Sequence, residues 1–296
     1  MTNMRQTPAS RPLSRRPRAA ALAMAMLLGA LATGCSLVQA LYNRVDWLVG
    51  HELARYVELD AAQQRLFHSG IGELWSWHRR VELPAYARDL RELAQASAQP
   101  LDQAQAEGYA QRYVDVWFRV LRHGQPATCA LLATLSDSQV QDVMDEAQKD
   151  LDRYQRSYIR PGEARVREDS ERKQLKTLQR WLGPVDPAQR ELLHRWAFER
   201  PFLPPAWLDY RRAWRQQLGE VLAARRDPQF CERFGTLMLD PAARMPETLR
   251  RQSQDNQRAW ATLLSQLSAT LTDPQRAHLR DQLLALAGDF DRLGAQ

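Results

Sequence analysis

The residues of this chain best suited to nucleophilic, redox or metal chemistry are its three cysteines and six histidines. Cys35 closes the run Leu31-Ala32-Thr33-Gly34-Cys35, where small side chains leave room for a protease and the thiol offers a nucleophile for lipid transfer. His51-Glu52-Leu53-Ala54-Arg55 begins like a zinc-binding HExxH helix. Arg55 stands where the second imidazole would be, so the two-histidine metal face is absent. His78 and Glu82 are spaced i, i+4 and can meet on one helix face. No third ligand lies near them in sequence, which favours a surface or capping role over a metal site. His68, His123, His194 and His278 are scattered without ligand spacing, and the chain has no P-loop, dinucleotide fingerprint or G-x-S-x-G elbow. The expectation is a protein with no catalytic residue, no metal site and no cofactor.

The elements around Cys35 explain why its thiol is placed where it is. Arg5, Arg11, Arg15, Arg16 and Arg18 occupy the first eighteen residues with no acid among them, and an almost uncharged run follows from Ala19 to Ala32. A basic region, an apolar region and then small residues is the order of a secretory signal. As a helix the apolar run reaches only about 21 Å, short of a bilayer core roughly 30 Å thick, so a stable span is not expected. Thr33-Gly34-Cys35 resembles the lipobox of bacterial lipoproteins, with Ala32 at the position where Leu is preferred and Leu31 one residue earlier. The alternatives are an ordinary signal peptide with an incidental cysteine and an uncleaved anchor. The resemblance implies cleavage after residue 34, a diacylglyceryl thioether and an N-acyl chain on Cys35, and effectively permanent attachment, since each buried CH₂ adds about 0.8 kcal/mol. Ser36, in place of the Asp that marks inner-membrane retention, favours the periplasmic face of an outer membrane.

Removing residues 1–34 also removes most of the net charge. The whole chain has 41 basic and 35 acidic residues; five of the basic ones are the signal arginines, which leaves 36 against 35. The net charge falls from +6 to +1, so nucleic acid is not an expected partner. Once Cys35 is acylated, Cys129 and Cys231 are the remaining thiols. In an oxidising compartment they form either a bridge or two separately buried cysteines; without a CxxC, redox catalysis is not expected. Both flanking segments are apolar on one face, through Leu131, Leu132 and Leu135 and through Phe230, Phe234 and Leu237, so they could pack together.

Residues 35–296 read as one periplasmic all-helical domain, an irregular multi-helix bundle of about ten to twelve helices. Apolar residues recur at helical spacing, as in Leu279, Leu283, Leu286, Phe290 and Leu293. Proline and capping residues place the helices near 37–57, 61–82, 84–97, 102–122, 127–134, 137–160, 163–182, 187–199, 205–225, 228–238, 246–270 and 274–292. The aromatic groups Trp75 and Trp77, Trp117 and Phe118, and Trp207, Tyr210 and Trp214 are read as core, with a partner groove or peptidoglycan contact as the alternative.

One local motif occurs four times: an apolar residue, a cap and a Gln three positions later, at Asp60 and Gln63, Ser136 and Gln139, Asp186 and Gln189, and Thr272 and Gln275. Each is a capping box. The spacings of 76, 50 and 86 residues exclude a regular solenoid. Leu271-Thr272-x-x-Gln275 is also similar to the LTxxQ motif of periplasmic stress chaperones, which implies binding of unfolded clients. A broader resemblance rests on Tyr42-Asn43-Arg44-Val45-Asp46-Trp47-Leu48, Tyr56-Val57-Glu58-Leu59-Asp60, Trp77-His78-Arg79, Glu82-Leu83-Pro84-x-Tyr86 and Arg180-Trp181-Leu182-Gly183. These look like a family of uncharacterised proteobacterial outer-membrane lipoproteins known only as a domain of unknown function. It implies a helical periplasmic lipoprotein and supplies no activity. The expected protein is therefore a non-enzymatic binding or structural component of the envelope. Its partners are the membrane, through acyl chains on Cys35, and an unidentified envelope protein or peptidoglycan; a chaperone-like role is the alternative.

Overall fold

Helix starts in this chain are written in capping residues. Asp60, Asp102, Ser136, Asp186 and Thr272 each accept a backbone N–H from the first turn, and the Gln three residues on returns to the N–H of the cap. Two donors that a helix start leaves orphaned are thereby satisfied at each site. The computed structural model describes Tyr42 and residues 44–296. Cys35 and the signal segment lie outside the described residues.

In chain order the helices are α1 (Val45–Leu53), α2 (Ala61–Trp77), a π-helical segment (His78–Glu82), α3 (Leu83–Ala96), α4 (Gln103–Leu132) and α5 (Asp137–Tyr158). They continue with α6 (Glu163–Leu182), α7 (Pro187–Glu199), α8 (Pro204–Ala223), α9 (Phe230–Leu239), the single turn α10 (Pro241–Arg244), α11 (Glu247–Ala269) and α12 (Asp273–Gly294). The fold is all-α, with no strand among the described residues. None of these helices is long and apolar enough to cross a membrane. Gly162 and Gly183, at φ +82° and +76°, make the turns into and out of α6, a conformation that a side chain would strain.

Two boundaries differ from the expected ones. Pro126 was expected to separate two helices, and α4 instead runs through it. An interior proline costs about 3 kcal/mol, but α4 packs against α2, α9 and α11, and Cys129 and Leu131 are buried just beyond the proline. Burial of a large apolar side chain contributes about 1.5–3 kcal/mol, so a few such contacts hold the helix continuous. The second difference is at His78–Glu82, where the expected α-helix widens into π geometry. The Leu83 N–H reaches back to the His78 carbonyl, and the wide turn ends one residue before Pro84, which has no N–H to contribute.

The core falls into patches that link helices distant in sequence. α3 lies along α12, where Leu83 and Ala87 meet Leu286, Ala287 and Phe290. Ala87 and Ala287 are fully buried, and their small side chains let the two helices approach closely. α8 lies along α5, and α9 fills the space between α8 and α4 with Phe230, Phe234 and Leu237. A third patch joins α6, α7 and α11 through Leu178, Leu182, Leu193, Leu263 and Leu267.

Candidate functional site

The four capping glutamines do more than close their own helix starts. Gln63 Oε1 accepts from the Asp60 N–H at 3.0 Å, and its amide nitrogen is left with hydrogens to place. They go to the Thr134 carbonyl at 3.1 Å and to Gln139 Oε1 at 2.9 Å. Gln139 Nε2 returns a bond to Gln63 Oε1 at 2.7 Å and donates to the Glu58 carbonyl at 2.7 Å. The starts of α2 and α5 are thus clamped face to face.

The starts of α7 and α12 form a second clamp with the same bonds. Gln189 and Gln275 exchange amide bonds at 2.9 Å in each direction. Gln189 Nε2 donates to the Thr270 carbonyl at 3.3 Å and Gln275 Nε2 to the Pro184 carbonyl at 2.6 Å. Gln189 is 0% exposed, so its amide has no access to water as a substitute partner. Gln189→Ala should lower the unfolding free energy by about 3 kcal/mol, because it takes one bond each from the buried Gln275 amide, which keeps Pro184, from the Thr270 carbonyl and from the Asp186 N–H, at about 1 kcal/mol each. Urea denaturation checks this; a loss below 1 kcal/mol would mean that the clamp is replaceable by solvent. Beside this clamp an open, mainly apolar cleft of about 420 Å³ is lined by Leu182, Pro184, Val185, Pro274 and His278.

Sequence reading found the four boxes as separate helix starts and missed both their pairing and a fifth box. Leu101-Asp102-x-x-Gln105 has the same pattern and was readable by the same rule. Its glutamine closes its own cap and clamps no second helix start.

The two cysteines come together. Cys129 on α4 and Cys231 on α9 are joined by a disulfide, with Cα atoms 5.6 Å apart, within the usual range for a bridge. Cys129 lies near the end of a long helix and not at the start of a short one, because α4 continues through Pro126.

His78 is enclosed by aromatic side chains. It is 8% exposed, stacked on Trp75, with Tyr42 Oη 2.8 Å from Nδ1 and Tyr86 Oη 3.3 Å from Nε2. Burial lowers its pKa to about 4 against the opposing charge of Glu82, so the imidazole is neutral and both ring nitrogens are engaged. Tyr42 is pushed up to about 12 by burial, partly offset by Arg79. Glu82, itself 2% exposed, takes a two-pronged bond from Arg119 at 2.8 and 2.9 Å. Burial alone would raise its carboxyl, and the bonds and charge of Arg119, with Tyr86 and His78, outweigh that and hold it below the usual value. His78 and Glu82 therefore lie in one network, and in place of the expected surface or capping role they form part of a packed polar core.

The other sequence candidates are engaged structurally. His51 stacks on Trp47, and Glu52 pairs with Arg55. Trp77 stacks on His123 with ring centres 4.0 Å apart, and Trp207 meets Tyr210 edge to face beside Leu203 and Leu249. Trp117 is the exception: expected in the core, it is 46% exposed. Among the described residues no three His, Cys, Asp or Glu side chains are grouped closely enough to hold a metal ion.

Residues 55–250, more than half of the chain, match the profile of a family described as a family of unknown function (DUF6279). No curated protein and no solved structure matches the chain.

Proposed function

We propose, for a chain that belongs to the DUF6279 family of unknown function, the role of a lipid-anchored envelope protein whose helical domain binds or supports another envelope component at the membrane surface. The observation that carries this reading is the short distance between the acyl acceptor and the fold. Cys35 ends a lipobox-like signal, and Tyr42, seven residues on, is already 6% exposed and bonded to His78. At ~3.5 Å per residue the intervening chain spans at most about 25 Å, so acylation would hold the domain against the bilayer with almost no tether. Ser36 supports the periplasmic face of an outer membrane as the location.

A second reading, client binding of the chaperone kind, is favoured by one feature: the Leu271-Thr272-x-x-Gln275 motif contributes to the rim of the apolar cleft beside the second clamp. One pair of proteins tests both readings. Cys35→Ser should abolish acyl labelling and release the protein from membranes, whereas equal labelling of mutant and wild type would end the lipoprotein reading. The soluble form beginning at Ser36 should leave the aggregation of a reduced, unfolded client unchanged in light scattering. Suppression at near-stoichiometric ratio without ATP would move the reading to the second.

A further inference from the structure

The two glutamine clamps share the same four amide bonds, and the sequence around them repeats. Asp60-x-Ala62-Gln63-x-x-Leu66-x-His68 matches Asp186-x-Ala188-Gln189-x-x-Leu192-x-His194. Leu131-x-Ala133-Thr134-Leu135-Ser136-Asp137-x-Gln139 matches Leu267-x-Ala269-Thr270-Leu271-Thr272-Asp273-x-Gln275. Pro84-Ala85-Tyr86 at the start of α3 is echoed by Pro205-Ala206-Trp207 at the start of α8. In each clamp the glutamine amide reaches the carbonyl two residues before the partner's cap, at Thr134 and Glu58 in one and at Thr270 and Pro184 in the other. Thr134 and Thr270 each turn their hydroxyl onto the carbonyl three residues back, at 2.7 and 2.9 Å.

The helix packing repeats in the same order. α1 to α5 correspond to α6, α7, α8, α11 and α12. α1 on α2 is matched by α6 on α7, and α2 on α4 by α7 on α11. The end of α1 is tied to α5 by Arg55 and Glu146 at 3.0 Å, and α6 is tied to α12 by His278 and the Arg180 carbonyl at 3.1 Å. The most extensive contact runs between the halves, where α3 of the first lies on α12 of the second, and α8 of the second lies in turn on α5 of the first. α4 and α11, which are each other's counterparts, pack together in opposite directions, with Gln103 at the start of α4 reaching the Arg258 carbonyl and Ser268 near the end of α11 bonded to Leu101.

From this correspondence we infer that the chain is a dimer written in one polypeptide: residues 42–159 and 160–296 are two copies of one five-helix unit, related by a pseudo-two-fold axis between α4 and α11, that have exchanged α3 and α8. The face of α3 is an interaction surface whose partner is α12 of a second copy of the same unit, and the chain supplies that copy itself. The second unit is longer between its paired glutamines, 86 positions against 76, and the helix α9 and the single turn α10 in that stretch have no counterpart in the first unit. α9 carries Cys231, so the disulfide to Cys129 staples one unit to the other.

The exchange distinguishes this chain from two domains in tandem, because neither unit keeps its own core when the other is removed. The test places a protease site in the Ile159–Gly162 turn of the full mature chain and cuts it. The nicked protein should keep its helical circular dichroism and its elution volume, both with the disulfide intact and after its reduction, and the reduced halves should part only in denaturant and recombine on dilution. Reduced halves that elute as two separately folded species, or a helical signal lost on nicking alone, would overturn the inference. A circular permutant gives an independent reading. The axis carries the Tyr158–Glu163 turn onto the gap between the C-terminus and the first helix, and Leu293 already shares a core patch with Tyr42. A chain running from Glu163 to Ala295, through a short linker to Tyr42 and on to Tyr158, should fold and form the Cys129–Cys231 bridge; failure of the permutant to fold would count against the axis.

Discussion

Replacing Cys129 and Cys231 together by alanine should lower the unfolding free energy by up to about 4.7 kcal/mol, the loop-entropy value for a bridge that closes about a hundred residues. The two cysteines are 102 positions apart, so the bridge removes a large share of the conformations open to the unfolded chain. Cys129 is 0% exposed and packed among Leu218, Leu222 and Phe230, and loss of its sulfur also leaves a small void in that patch. A stability of 5–15 kcal/mol is typical of a domain, so the loss is a large fraction of the whole. Urea denaturation of the oxidised wild type, the reduced wild type and the double mutant checks this. The reduced protein and the double mutant should both be displaced to lower denaturant, and a displacement worth less than about 1 kcal/mol would show that the bridge adds little to a fold held by its helix contacts.

Acidification from pH 6.5 to 4 should cost about 3 kcal/mol through His78 alone. Its folded pKa of about 4 lies below the unfolded value of 6.5, because burial between Tyr42, Trp75 and Tyr86 disfavours the imidazolium more than Glu82 favours it. Between these two values the unfolded chain binds a proton that the folded chain refuses. Stability is therefore complete above pH 6.5 and falls as the pH drops toward 4, at about 1.4 kcal/mol per unit of pKa difference. Glu82 adds a second loss at lower pH, since its carboxyl is held below the usual value and its stabilisation disappears as it protonates. His78→Gln retains polar atoms for the two tyrosines and removes the titration. Its stability, followed by denaturant midpoint from pH 7.5 to 4, should be nearly flat down to pH 4.5. An unchanged slope would place the acid sensitivity elsewhere.

The helices were legible because their signals are short-ranged. A cap and its glutamine are three residues apart, a proline acts on its own turn, and the apolar stripe of an amphipathic helix repeats every few residues. Residues such as Asp186 and Gln189 therefore announce a helix start wherever the chain later goes. The boundaries that were misplaced, at Pro126 and at His78–Glu82, are those where packing outweighed the local preference. The family resemblance seen in Tyr56-Val57-Glu58-Leu59-Asp60 and Arg180-Trp181-Leu182-Gly183 falls within the matched residues 55–250, and the family adds no activity to either.

By itself, the sequence determined an all-α chain, the positions of most helix ends, the four capping glutamines and the two cysteines able to meet. Only the tertiary structure decided which cap faces which. A glutamine closing its own helix start uses one face of its amide, and the bond demanded by the other face is met 76 residues away at Gln139 for Gln63 and 86 away at Gln275 for Gln189. No spacing rule encodes that partner, because hydrogen bonds across such distances depend on where packed helices bring the chain. The neutral state of His78 has the same origin: i, i+4 spacing placed Glu82 within reach, but Tyr42 and Tyr86, brought in from either side, provide the burial that keeps the proton off.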